Sequence, residues 1–268
     1  MKNLNEISII LPTLNEADNL KILIPDILSV LKNLEFVDYE IIVVDDNSTD
    51  NTQEVMSKLC SDIKSLEFIV RKSEKSLPMS IWEGIENSKF GYVMWLDADG
   101  SMSSETIEKL LKTIEKDKES VAVASRFVEG GGYKGTILNE ERSFVRSMFN
   151  VKKSKDSVTA TILSSLFNKT LTFISKSNVK DMTSGFIVGK KEYFIKSIFE
   201  ISVYGEYFVY LINYLNRKNI KVQETGYICG TRLHGVSKTG SSIMQLIKLG
   251  IPYIKAARIA NRIDYENF

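Results

Sequence analysis

Short apolar runs alternate with segments of helical periodicity through the first half of the chain. Ile7–Leu11 is an apolar run that stops at Pro12. Leu20, Leu23, Ile24, Ile27, Leu28 and Leu31 then recur at helical spacing, which predicts a helix capped by Asn15 or Asp18 and ending near Leu34. Tyr39–Val44 reads as a second strand and ends in the turn-forming cluster from Asp45 to Asp50. A helix follows over Thr52–Leu59, then a strand at Leu66–Val70 and a helix around Met79–Ser88. Gly91–Leu96 is a buried strand by composition, Glu105–Lys118 a helix and Val121–Ser125 another strand.

This β–α alternation implies an α/β domain: a mostly parallel, Rossmann-like sheet with helices on both faces. Ligands of such sheets bind beyond the carboxyl ends of the strands. Pro12, Asp45, Asp46, Asp97, Asp99 and Arg126 all fall at such ends.

The pattern loosens after Gly130-Gly131-Gly132, read as a flexible hinge. Residues 130–180 are expected to form a mobile segment with one or two helices, including an apolar helical stretch at Val158–Ile174 and the basic residues Arg142, Arg146, Lys152, Lys153 and Lys155. A helix start is expected near Lys190, a helix over Tyr204–Leu215 and a strand over Val222–Cys229. Ser242–Ile263 is amphipathic, with a kink expected at Gly250-Ile251-Pro252. Such a basic amphipathic helix can lie in a membrane interface or pack on the domain. The boundaries drawn are a domain over residues 1–240 and this helical tail over 241–268.

Composition narrows the function classes. The 268 residues are 43% hydrophobic and 26% charged with a net charge of +1, so no bulk field points to nucleic acid. Cys60 and Cys229 suggest neither a disulfide framework nor a zinc site. The N-terminus lacks a signal-peptide apolar region, and no uninterrupted apolar stretch reaches a spanning helix. The expected location is cytoplasmic.

The candidate chemistry centres on Asp97-Ala98-Asp99. Two carboxylates two residues apart at a strand end can share a face and offer hard oxygens to Mg²⁺ or Mn²⁺. The alternative is a solvated turn. Asp45 and Asp46 can accept hydrogen bonds from a base or ribose, or cap the following helix. Arg126, Arg232 and Lys238 can neutralise phosphate, or form surface ion pairs. His234, the only histidine, sits beside Gly235 and reads as a positioning or incidental residue. A dinucleotide fold is disfavoured, since the first strand-to-helix turn lacks Gly-x-Gly-x-x-Gly.

Six segments follow in order along residues 5–240: Leu11-Pro12-Thr13-Leu14-Asn15-Glu16, Val43 to Asp50, Leu96-Asp97-Ala98-Asp99, Ser125 to Gly131, Asp181-Met182-Thr183-Ser184-Gly185-Phe186, and Arg232 to Lys238. As an ordered set they resemble family-2 inverting glycosyltransferases of the GT-A fold. Within that family the set is similar to the dolichyl-phosphate mannose synthase and polyprenyl-phosphate glycosyltransferase group. The resemblance implies that Pro12, Leu14, Glu16, Asp45, Asp46, Asp97 and Ala98 hold a nucleotide-sugar. It implies that Asp97, Asp99 and Ser101 bind Mg²⁺ or Mn²⁺, and that Arg126, Arg232 and Lys238 face phosphate. Departures are Leu14 where relatives carry Tyr, Ile187 where they carry Arg, and Ser164-Ser165 where they often carry Ser-Arg.

Three functions follow. The first is transfer from a GDP- or UDP-sugar to a polyprenyl phosphate, with peripheral membrane contact at the cytoplasmic face and a membrane-protein partner as an option. The second is transfer to a saccharide acceptor, which requires a general base; Asp181 and Glu206 are the candidates. The third is a non-catalytic nucleotide-binding protein.

Overall fold

A computed structural model describes residues 5–133, 136–137, 155–230 and 243–265. A seven-stranded sheet runs in the order β3-β2-β1-β4-β8-β5-β9. Its strands are β1 (Glu6–Thr13), β2 (Asp38–Asp45), β3 (Leu66–Val70), β4 (Tyr92–Trp95), β5 (Val121–Ser125), β8 (Ile187–Lys190) and β9 (Val222–Gly226). All pairs are parallel except those of β8, which runs antiparallel between β4 and β5. β6 (Gly132–Tyr133), β7 (Thr136–Ile137) and β10 (Ile228–Cys229) form a small second sheet.

The central strands are apolar at successive positions because both faces are covered. Ile7, Ile9 and Leu11 of β1 join Ile41 and Val43 of β2 on one face. There they meet α1 (Ala17–Asn33) and α4 (Ser104–Lys116) through Leu20, Ile24, Ile27, Leu110 and Ile114. Ile10, Ile42, Val44 and Trp95 face the other way. They pack under α3 (Leu77–Asn87), the short α6 (Lys196–Glu200) and α7 (Tyr207–Arg217). α2 (Thr52–Asp62) covers the sheet edge next to α1.

α5 (Lys155–Ser175) and α8 (Ile243–Ile259) complete the second layer. α8 passes through Gly250 and Pro252 as one helix. Ala256 and Ala257 of α8, with Ala260 beyond it, are buried in the cluster beneath α7. The small side chains let the helices approach closely.

The helix start expected near Lys190 is present as one 3₁₀ turn, Lys191–Tyr193, with Lys190 as its N-cap. The strand β8 that ends at Lys190 was not expected, because its four residues are too few to show a periodicity. One local expectation is corrected. The glycine run at 130–132 is not an open hinge at its centre. A Cβ on Gly131 would sit 2.5 Å from the Ser125 carbonyl oxygen, so glycine there permits two backbones to touch.

Candidate functional site

The rim at the carboxyl ends of β1, β2 and β4 opens on a cavity of about 380 Å³. Strand order sets out its wall. β2 contributes Asp46, β1 contributes Pro12, Thr13, Leu14 and Glu16, and β4 leads into Asp97, Ala98 and Asp99. Thr183, Ser184 and Gly185, which precede β8, continue the wall to Val203, Tyr204 and Gly205, with Tyr207 of α7 and Tyr253 of α8.

The β1–α1 and β2–α2 turns hold each other. The Asn15 N–H donates to the Ser48 hydroxyl at 2.7 Å, and the Asn15 side-chain oxygen accepts the Thr49 N–H at 2.8 Å. Asn15 has φ 58°, a left-handed conformation that Asn tolerates. The first N–H groups of α1 find no side-chain cap of their own, and the Ala17 N–H donates instead to Asp50. This cross-bracing fixes the Leu14–Glu16 edge of the cavity.

Asp45 and Asp46 part company. Asp45 is fully buried and does not line the cavity. It accepts the Ser48 N–H at 3.1 Å and the Ser48 hydroxyl, and so organises its own turn in the manner of an Asx turn. Asp46 lines the cavity, accepts the Ser76 N–H at 2.6 Å and pairs with buried Arg71.

Asp97 is exposed at the rim, whereas Asp99 is 6% exposed and its Oδ1 accepts the Ser101 N–H at 2.9 Å. Gly100, at φ 72°, makes the turn that separates them from Ser101. Ser101 does not line the cavity; its carbonyl accepts the Gly230 N–H at 2.8 Å. Its backbone N–H and carbonyl brace the turn. Among the described residues no cluster of three metal-ligating side chains occurs. Two carboxylates facing one cavity nonetheless suit Mg²⁺ or Mn²⁺, which take one or two protein carboxylates and complete their shell with substrate phosphate and water.

The three other catalytic candidates within the described residues lie outside the cavity wall. Arg126 is 14% exposed and donates to both oxygens of fully buried Asp181, at 2.8 and 2.7 Å, and to the Thr183 hydroxyl at 2.7 Å. Burial pulls the guanidinium pKa down, but Asp181 more than reverses this and holds it well above the ordinary value. Glu206 is 4% exposed and accepts the N–H groups of Val203 and Tyr204 at 2.7 and 3.0 Å. Neither carboxylate is placed as a base toward the cavity. Asp181 ties β5 to the Thr183 wall, and Glu206 ties down the Val203–Gly205 wall. Arg232, Lys238 and His234 lie outside the described residues.

Lys75 and Tyr207 are among the lining residues that escaped the sequence reading. Lys75, in the β3–α3 connection, is the one cation lining this cavity among the described residues. Its signal was faint: one lysine in the charged run from Arg71 to Lys75. Tyr207 of α7 lines the same cavity. Trp95, two residues before Asp97, donates its indole N–H to the Tyr207 hydroxyl at 3.0 Å. Burial raises the Tyr207 pKa; the Trp95 hydrogen bond works against the rise, and the Asp97 charge adds to it.

Residues 8–198 match the Glycosyl transferase family 2 model. The chain is 29% identical over 253 residues to a dolichol-phosphate mannosyltransferase of Pyrococcus furiosus, covering 91% of this chain and 62% of that protein. It is 28% identical over 171 residues to a dolichyl-phosphate beta-glucosyltransferase of Saccharomyces cerevisiae, covering 55% of this chain and 49% of that protein. The chain thus spans less than two thirds of the length of these curated relatives. Among solved structures, glucosyl-3-phosphoglycerate synthase of Mycobacterium tuberculosis, in complex with Mn²⁺, UDP and glucosyl-3-phosphoglycerate, superposes with a TM-score of 0.62. The identity is 14%, with 96% of this chain and 80% of that one covered, and the likeness is one of fold: the GT-A α/β domain.

Proposed function

The chain belongs to glycosyl transferase family 2, and from that premise we propose that it moves a sugar from a GDP- or UDP-sugar to a polyprenyl phosphate, inverting the anomeric carbon. The observation that carries this reading is the cavity that gathers Asp46, Lys75, Asp97 and Asp99 on one rim. The names of the two curated relatives, both dolichyl-phosphate sugar transferases, support the acceptor class.

Each residue then has a role. Asp46 accepts from the base or ribose, beside the apolar faces of Pro12 and Leu14. Lys75 neutralises part of the donor charge. Asp97 and Asp99 would hold Mg²⁺ or Mn²⁺, which as a Lewis acid stabilises the leaving diphosphate. The attacking phosphate oxygen is already ionised near neutral pH, so positioning and charge neutralisation replace a strong base. The engagement of Asp181 and Glu206 by N–H donors fits that economy. Arg232 and Lys238 serve as further phosphate ligands in this proposal.

No helix among the described residues is long and apolar enough to cross a membrane. Leu166 and Phe173 of α5 and Ile251 of α8 are exposed. Together with Lys248, Lys255 and Arg258 they supply the apolar and basic groups for peripheral contact with an anionic membrane.

A donor screen with Mn²⁺ and undecaprenyl or dolichyl phosphate, following radiolabelled sugar into butanol, tests the reading. Metal-dependent label in butanol with one donor is expected. Metal-dependent nucleotide release without that label would move the acceptor to a saccharide, and no donor turnover at all would overturn the transferase reading.

A further inference from the structure

The family match ends at residue 198, yet the cavity does not end there. Its far wall is built by segments downstream of the matched region: the Val203–Gly205 loop, Tyr207 of α7 and Tyr253 of α8. We propose that Tyr253, on the C-terminal helix, is a specificity-determining residue that contacts the sugar of the donor rather than its nucleotide. The proposal rests on the nucleotide-sugar reading above.

Placement carries it. The strand order sets the rim as Asp46 on β2, Pro12 on β1, Asp97 and Asp99 after β4, then Ser184 and Gly185 before β8. The first two mark the nucleotide end and the carboxylates mark the diphosphate. A donor laid along that line brings its sugar to the wall beyond the carboxylates, where Tyr204, Gly205 and Tyr253 meet. Burial raises the Tyr253 phenol pKa; Tyr204, Glu206 and, least of these, Asp97 add to the rise, and Arg126 works against it.

The local structure is shaped to admit this ring. A Cβ added to Gly205 would lie 2.0 Å from the Tyr253 hydroxyl oxygen, so a side chain at 205 would evict the phenol. Glu206 pins the same loop through the N–H groups of Val203 and Tyr204. Phe167 of α5 packs edge-on against the Tyr253 ring, 5.9 Å between centroids, and holds it from behind. A phenol is a suitable group here. It offers one donor and acceptor to a sugar hydroxyl and an apolar face to the ring carbons.

The test compares full-length wild type with Tyr253→Phe and Gly205→Ala, by calorimetric binding in Mn²⁺ of a nucleoside diphosphate and of its sugar conjugate. The donor is the one selected in the screen. Tyr253→Phe should weaken the sugar conjugate about threefold to tenfold, the loss of one hydrogen bond, and leave the free nucleoside diphosphate unchanged. Gly205→Ala should do the same, and its thermal midpoint reports whether the fold is intact. A purely structural role would leave the ratio of the two affinities where it is in wild type, and an unchanged ratio in both variants overturns the proposal. Failure of the wild-type chain to bind either nucleotide would instead overturn the transferase reading, and this inference with it.

Discussion

Arg71 and Asp46 form a buried ion pair at the β2 end of the cavity, with side chains 4% and 8% exposed. Arg71 lies just beyond β3, and its N–H donates to the Asp45 carbonyl at 2.9 Å. Its guanidinium also donates to Glu83 at 3.2 Å and to the Ser80 hydroxyl at 3.4 Å. One arginine therefore fixes Asp46, the start of α3 and, through the Ser76 N–H on Asp46, the loop that carries Lys75.

Arg71→Met should destabilise the protein by about 3–5 kcal/mol, because removing one partner leaves Asp46 buried and uncompensated. Chemical denaturation checks this. Arg71→Lys should recover part of the loss but not all, since an ammonium cannot serve Asp46, Glu83 and Ser80 in one plane.

Asp181→Asn separates a structural carboxylate from a general base. It should cost on the order of 3 kcal/mol of stability, as Arg126 loses its charged partner. The shape of the pH profile of kcat/KM should match wild type. Loss of its acidic limb would make Asp181 a base after all.

The sheet was largely readable from the chain, and the reasons are local. Val121–Ser125 is a strand with the bounds its apolar run predicts, because burial on both faces writes itself into consecutive residues. Leu66–Val70 also keeps its expected bounds, although this edge strand is mostly half-buried. β8 was hidden, since four residues flanked by Gly185 and Lys191 carry no period. In the site, Pro12, Asp46, Asp97 and Asp99 were legible as strand-end residues, and Leu14, Glu16 and Ala98 through the family resemblance; these seven share one cavity. The partnership of Arg126 with Asp181 was not, because it joins residues 55 apart across two strands. Tyr253 was invisible for the same reason: an amphipathic helix does not announce which neighbour it packs against.

Alkaline pH should destabilise the fold through its tyrosines. Burial raises the pKa of Tyr207, Tyr227 and Tyr265 above the ordinary value of 10.0. A raised folded-state pKa gives stability that is complete below the unfolded value and is lost as pH climbs past it. Unfolding free energy should thus be flat on this account up to pH ~10 and decline above it. Tyr207→Phe should make the decline shallower in denaturation curves taken at increasing pH.

Lys75→Met should raise the donor KM about tenfold and change the thermal midpoint little, since the side chain serves a charge in the cavity rather than a described ion pair. Steady-state kinetics with the selected donor check it. An unchanged KM would place the phosphate charge elsewhere on the rim.

The central claim is that Asp97 and Asp99 present a metal-bound diphosphate to an acceptor phosphate. The most direct measurement is the initial rate of nucleoside-diphosphate release against Mn²⁺ concentration, for wild type and Asp99→Ala, with thermal melting run in parallel. The account predicts a rate that saturates with Mn²⁺ and vanishes in chelator, and a loss of about a hundredfold or more in a variant that still folds. A chelator-resistant rate, or an Asp99→Ala rate equal to wild type, would contradict it.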